Sequence, residues 1–170
     1  GLMHHKFLVC DGRDSSQVND WVWTRSANIT TSGLHTDAQI PGEIKDSQVT
    51  QCYLREFNEL WGSSTDTPNA LTARLGNDKI DDTPHSFTVN GVAIEQFMSP
   101  SDGTEQRLVD AIATLQSSAF FSILSFTQDT IELAYHAKWT GVPGSKAAFR
   151  IESSHVPKNG RSKTTSVSEP

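Results

Sequence analysis

The chain has 170 residues, a formal charge of -6 and 35% hydrophobic residues, with a pI of about 5.4 and a mean hydropathy of -0.43. That length suffices for a domain with a real core, and no run approaches the roughly 20 apolar residues that span a bilayer. The acidic balance disfavours general nucleic-acid coating, which needs a basic face, and two cysteines, Cys10 and Cys52, make no disulfide framework and read as buried thiols.

In chain order, "HKFLVC" (5–10) reads as a strand closed by a turn at Asp11-Gly12. No charged start followed by a long apolar core, the mark of a secretory signal, is seen in residues 1–12. "WVWTR" (21–25) is a second strand, paired or adjacent to the first. Residues 26–44 are too rich in Ser, Thr and Gly for assignment. Residues 46–61 form the best helix of this half. Val49, Tyr53, Phe57, Leu60 and Trp61 make one apolar stripe, with Asp46 as N-cap and Gly62 just past the end.

Residues 63–91, punctuated by Pro and Gly, read as a linker. "VAIEQF" (92–97) is a strand, and 104–118 a helix capped by Ser101 or Asp102. "FFSILSF" (120–126) is a buried strand, and 127–141 a helix capped by Thr127 or Asp129. "AAFRIE" (147–152) is one more strand. The order β-α-β-α-β predicts parallel crossovers. Residues 153–170 are expected to be a disordered tail.

Alternation places His4 and Lys6 on one strand face with Leu8 and Cys10, and His5, Phe7 and Val9 on the other. An ammonium can neutralise phosphoryl oxygens while a neighbouring imidazole attacks phosphorus or moves a proton. A zinc site from His4, His5, Cys10 and Cys52 lacks the usual ligand spacings, so no metal is expected.

The spacing His4-x-Lys6-x4-Asp11-Gly12 resembles the HKD motif of the phospholipase D superfamily. "RSAN" places Ser26 and Asn28 where that family has Gly-Ser-x-Asn, and "DAQ" offers Gln39 where it has a residue that holds the catalytic His. Residues 92–137 resemble the opening βαβα of a lobe of the same family.

The resemblance implies an α/β fold, a phospholipase D-like mixed sheet flanked by helices, here an incomplete or permuted lobe. Residues 1–62 would be the HKD half, 63–91 the linker and 92–152 the opening half of a lobe. It implies a phosphodiesterase working through a phosphohistidine at His4. Lys6, Ser26 and Asn28 would hold phosphate, Gln39 would orient His4, and Asp11 would support the loop. It implies no cofactor, a phospholipid or nucleic-acid substrate, and a second motif from a homodimer or the remainder of a larger chain. By analogy with bacterial relatives, the expected location is secreted or periplasmic. Arg25 departs from the family pattern, standing where a Gly is usual; it is expected to crowd the phosphate pocket or to add a phosphate contact. The alternative is a non-catalytic, truncated module with a binding or assembly role.

Overall fold

The computed structural model describes residues 3–26, 28–37, 39–117, 119, 121–123, 127–141 and 149–151. The chain is mixed α/β and divides into two compact units, Gly1–Asp102 and Gly103–Pro170.

The first unit is built on an antiparallel sheet. Strands β1 (Phe7–Cys10), β2 (Trp21–Arg25) and β3 (Pro41–Ile44) lie in the order β1-β2-β3. The register pairs Val9 with Val22 and Val22 with Ile44, so these three share a face. Leu8, Trp23 and Glu43 are aligned on the opposite face. A short helix, α1 (Thr31–His35), lies between β2 and β3, and the Thr30 hydroxyl caps it by accepting from the Gly33 amide. Both α1 and β3 fall in the stretch left unassigned from sequence.

Helix α2 (Ser47–Trp61) begins as its sequence demands. The Asp46 carboxylate accepts from the Val49 amide at 3.0 Å, and Gly62 ends the helix in the left-handed region, φ 77°. Its buried face is Val49, Thr50, Cys52, Tyr53 and Glu56. The inward face is therefore rotated from the expected stripe: Phe57 is exposed, and Leu60 and Trp61 are half-buried. Rotation brings Tyr53 edge-on to Phe7, with ring centres 5.2 Å apart. Val22, Val49, Cys52, Tyr53, Phe87 and Met98 form the core, with Phe7, Val9 and Ile44 packed against it.

Residues 63–91, read as a linker, are stitched to α2. The Asn69 amide donates to the Trp61 carbonyl, and the Arg74 amide to the Glu59 carbonyl, each at 3.0 Å. The Ile80 amide donates to Glu59 Oε1, and the Arg55 guanidinium to the Asp82 carbonyl. A 3-10 turn at Gly76–Asp78 leads to strand β4 (Ser86–Val89), which brings Phe87 into the core. The strand expected at 92–97 is β5 (Val92–Glu95), and it pairs antiparallel with β4. It therefore does not open a parallel unit. Asn90 and Gly91, both at positive φ (50° and 81°), make the tight turn that joins the pair.

The second unit holds α3 (Thr104–Ala113), β6 (Phe121–Ile123), α4 (Asp129–Gly141) and β7 (Phe149–Ile151). Here the parallel expectation holds: β6 and β7 pair parallel, with α4 between them in sequence. Ile112 is its buried apolar residue among those described. The α3 N-cap is Gly103, without a side-chain cap; Asp102 instead turns inward. The expected tail, 153–170, lies outside the described residues.

Candidate functional site

His5, Phe7 and Val9 face α2 and the core; Leu8 alternates to the other side of β1, and the same period continued ahead of the strand would put His4 and Lys6 there too. His4 is exposed and Lys6 half-buried. The Lys6 ammonium donates to the carbonyl of His4 at 2.8 Å, folding its head back along its own segment. His4–Lys6 precedes the regular ladder, but the Arg25 amide donates to the Lys6 carbonyl at 3.1 Å. The register Phe7–Thr24 thus continues one step, and the His4–Lys6 segment runs antiparallel toward the Ser26–Asn28 loop.

That loop is well tied. The Ser26 hydroxyl donates to Gln39 Oε1 at 2.5 Å, and the Ile40 amide donates to Ser26 Oγ at 3.4 Å. Gln39 is therefore engaged by Ser26. Arg25 neither crowds this loop from outside nor is spent on an open anion site. Its guanidinium donates to the carbonyls of Asn28 (3.2 Å) and Gly33 (2.9 Å) and lies 4.6 Å over the Trp23 ring. Gly33 allows this shape: a Cβ there would stand 2.3 Å from the Asn28 carbonyl oxygen.

Asp11 is not brought to the others. It sits beyond the far end of β1, exposed, in the left-handed region at φ 60°. A groove of about 500 Å³ opens at that end, lined by Asp11, Arg13, Leu54 and Phe57 with Phe7, Leu8 and Val9. None of His4, Lys6, Ser26, Asn28 or Gln39 lines it. Cys10 and Cys52 are free thiols. Burial pushes the Cys52 thiol up, whereas Cys10, read as buried, is half-buried.

Two charged clusters escaped the sequence reading. The first is buried beneath β1. Glu56 Oε1 lies 3.0 Å from His5 Nδ1 and 2.9 Å from Lys79 Nζ. Lys79 also donates to the carbonyls of Met98 and Ser99, each at 3.2 Å. Burial alone would raise the Glu56 pKa, but the contacts with His5 and Lys79 together hold it below the ordinary carboxylate value. The signal was present: Glu56 is seven residues after Val49 and three after Tyr53, on the same helix face.

The second cluster is Asp81, His85 and Asp102, whose ligand-capable atoms lie within 4.8 Å of one another among the described residues. It does not fit a metal. His85 Nδ1 faces the Gln96 carbonyl at 3.0 Å, and a carbonyl only accepts, so this nitrogen carries a proton. Nε2 faces the Asp81 carboxylate at 3.1 Å. Burial disfavours the charged ring, yet Asp81, the Gln96 carbonyl and Asp102 outweigh it and raise the His85 pKa. Asp102 is spent on the Met98 amide and the Ser101 hydroxyl. The ring is stacked on Phe97 with centres 4.4 Å apart.

Among the described residues no helix is long and apolar enough to cross a membrane. Comparison with known proteins adds a family. Residues 1–61 match the family model for the cardiolipin synthase, phospholipase D-like domain. No curated protein and no solved structure matches the chain. The matched segment runs from the residues before β1 to the last residue of α2, and so contains the whole three-stranded sheet and the loop that carries Ser26 and Asn28. Over residues 1–61, then, the chain is similar in sequence to a phospholipase D-like domain.

Proposed function

We propose that the chain contributes half of a phosphodiesterase site of the phospholipase D type. The observation that carries this reading is the open-face placement of His4 and Lys6, which run toward the Ser26–Asn28 loop within the matched segment. His4 would attack phosphorus while the ester P–O bond breaks. The leaving oxygen would take its proton from the His of a second motif. That second His would then deprotonate water, whose oxygen displaces His4 and releases a phosphate monoester. Lys6, Ser26 and Asn28 would hold the non-bridging oxygens, and Gln39, whose Oε1 accepts from Ser26, would orient His4 through its amide group. The second motif would come from a homodimer or from another part of a larger chain. The substrate would be a phospholipid or nucleic acid.

The second reading is a non-catalytic module. Its support is specific: Lys6 is folded onto the His4 carbonyl, and Asp11 lies apart. Hydrolysis of bis(p-nitrophenyl) phosphate, with EDTA present, separates the two. Activity in the wild-type chain that His4→Ala abolishes is the expected result. Equal rates from both would leave only the module.

A further inference from the structure

Residues 4–6 precede β1, and among the described residues the bond from the Arg25 amide to the Lys6 carbonyl is the backbone tether that joins them to β2. A second tether comes from the covered side. His5, the residue between His4 and Lys6, brings Nδ1 to 3.0 Å from Glu56 Oε1, a close polar contact outside hydrogen-bond geometry. The Glu56 and Lys79 side chains are 4% and 2% exposed. Lys79 donates to the carbonyls of Met98 and Ser99 and forms an ion pair with Glu56 at 2.9 Å.

A buried charge pair of this kind is weak evidence for stability, because an apolar pair of similar volume often does as well. What it supplies is direction. An apolar residue at position 5 could pack against Phe7 in several rotamers; an imidazole gripped by a fixed carboxylate cannot. We propose that Glu56 and Lys79 are positioning residues for the His4–Lys6 pair. They fix His5 on the covered side and thereby hold its two neighbours on the open one. Lys79 lies beyond the segment that matches the family, so the grip on the motif comes from outside that segment. The proposal rests on the functional reading above for its catalytic consequence, though not for its structural one.

The test uses the full chain and the double variant Glu56→Gln/Lys79→Met, which removes both charges together and leaves neither buried alone. His5→Phe is the second variant. Backbone ¹⁵N relaxation reads the order of residues 4–6, and thermal unfolding confirms that each variant folds. The expected order parameters fall from about 0.85 to below about 0.6 at residues 4–6, with Val22 and Val49 unchanged. In an active wild type, kcat on bis(p-nitrophenyl) phosphate should drop by about 10²-fold with KM within about threefold. Unchanged order at residues 4–6 in a folded double variant overturns the proposal. Loosened residues with full kcat overturn the catalytic consequence. Loosened residues in a chain whose wild type shows no His4-dependent hydrolysis support the grip and sink the phosphodiesterase reading instead.

Discussion

The two faces of the three-stranded sheet are made from the same strands but serve different ends. The covered face carries Phe7, Val9, Val22 and Ile44 against α2, with His5 caught by Glu56. The open face carries Lys6, Leu8, Trp23 and Arg25, none of them fully buried. A period of two separates them, so one residue's shift in register would exchange core for chemistry. The lesson is that one side of the sheet can stay open at low structural cost because the other side is packed against α2.

The largest effect that would break this contrast is on the covered side. Val22 is 0% exposed, and Val22→Ala should cost about 2 kcal/mol in denaturant unfolding, from lost transfer energy and the cavity left behind. A cost near zero would mean that α2 does not pack the sheet as described. A smaller, pH-dependent effect sharpens which segments buttress the covered side. The folded-state pKa of His85 is raised above its ordinary value of 6.5, so its stabilisation is complete below that value and is lost as pH rises through the folded pKa. Melting temperature in wild type should therefore decline over that window more than in His85→Asn; parallel pH profiles would show that the charged His85 ring contributes nothing. The smallest effect belongs to the open face. Leu8 is 45% exposed, and Leu8→Ala should change stability by no more than about 0.5 kcal/mol. A loss comparable to that of Val22→Ala would mean that the open face is covered after all.

Much of this was legible where the signal is local. Asp46 and Gly62 frame α2 because caps act within one turn of the residues they satisfy. The alternation His4, Lys6, Leu8 assigns the open face because a strand's period is fixed. The inward face of α2 was misjudged by one position. Glu56 looks like a solvent residue until Lys79, twenty-three places later, arrives to neutralise it. Residues 63–91 look like a linker because their backbone groups bond to α2, a distant partner that no local pattern announces. The β4–β5 hairpin is a different case. Asn90-Gly91 between alternating residues is a strong hairpin signal, and reading 63–91 as a linker leaves that turn without a first strand. From sequence Arg25 is expected to crowd the phosphate pocket or to add a phosphate contact, because a side chain's target cannot be seen from its position. Its target is the loop's own carbonyls.

That arrangement has a consequence for how this chain can vary. Gly33 leaves room for the Asn28 carbonyl, and Arg25 bonds both the Asn28 and the Gly33 carbonyl. A side chain at 33 would push the Asn28 carbonyl out of its place and break the geometry on which Arg25 depends. A substitution at 33 therefore carries two costs, the clash with the loop backbone and the loss of the Arg25 contacts, while a substitution at 25 carries only the second.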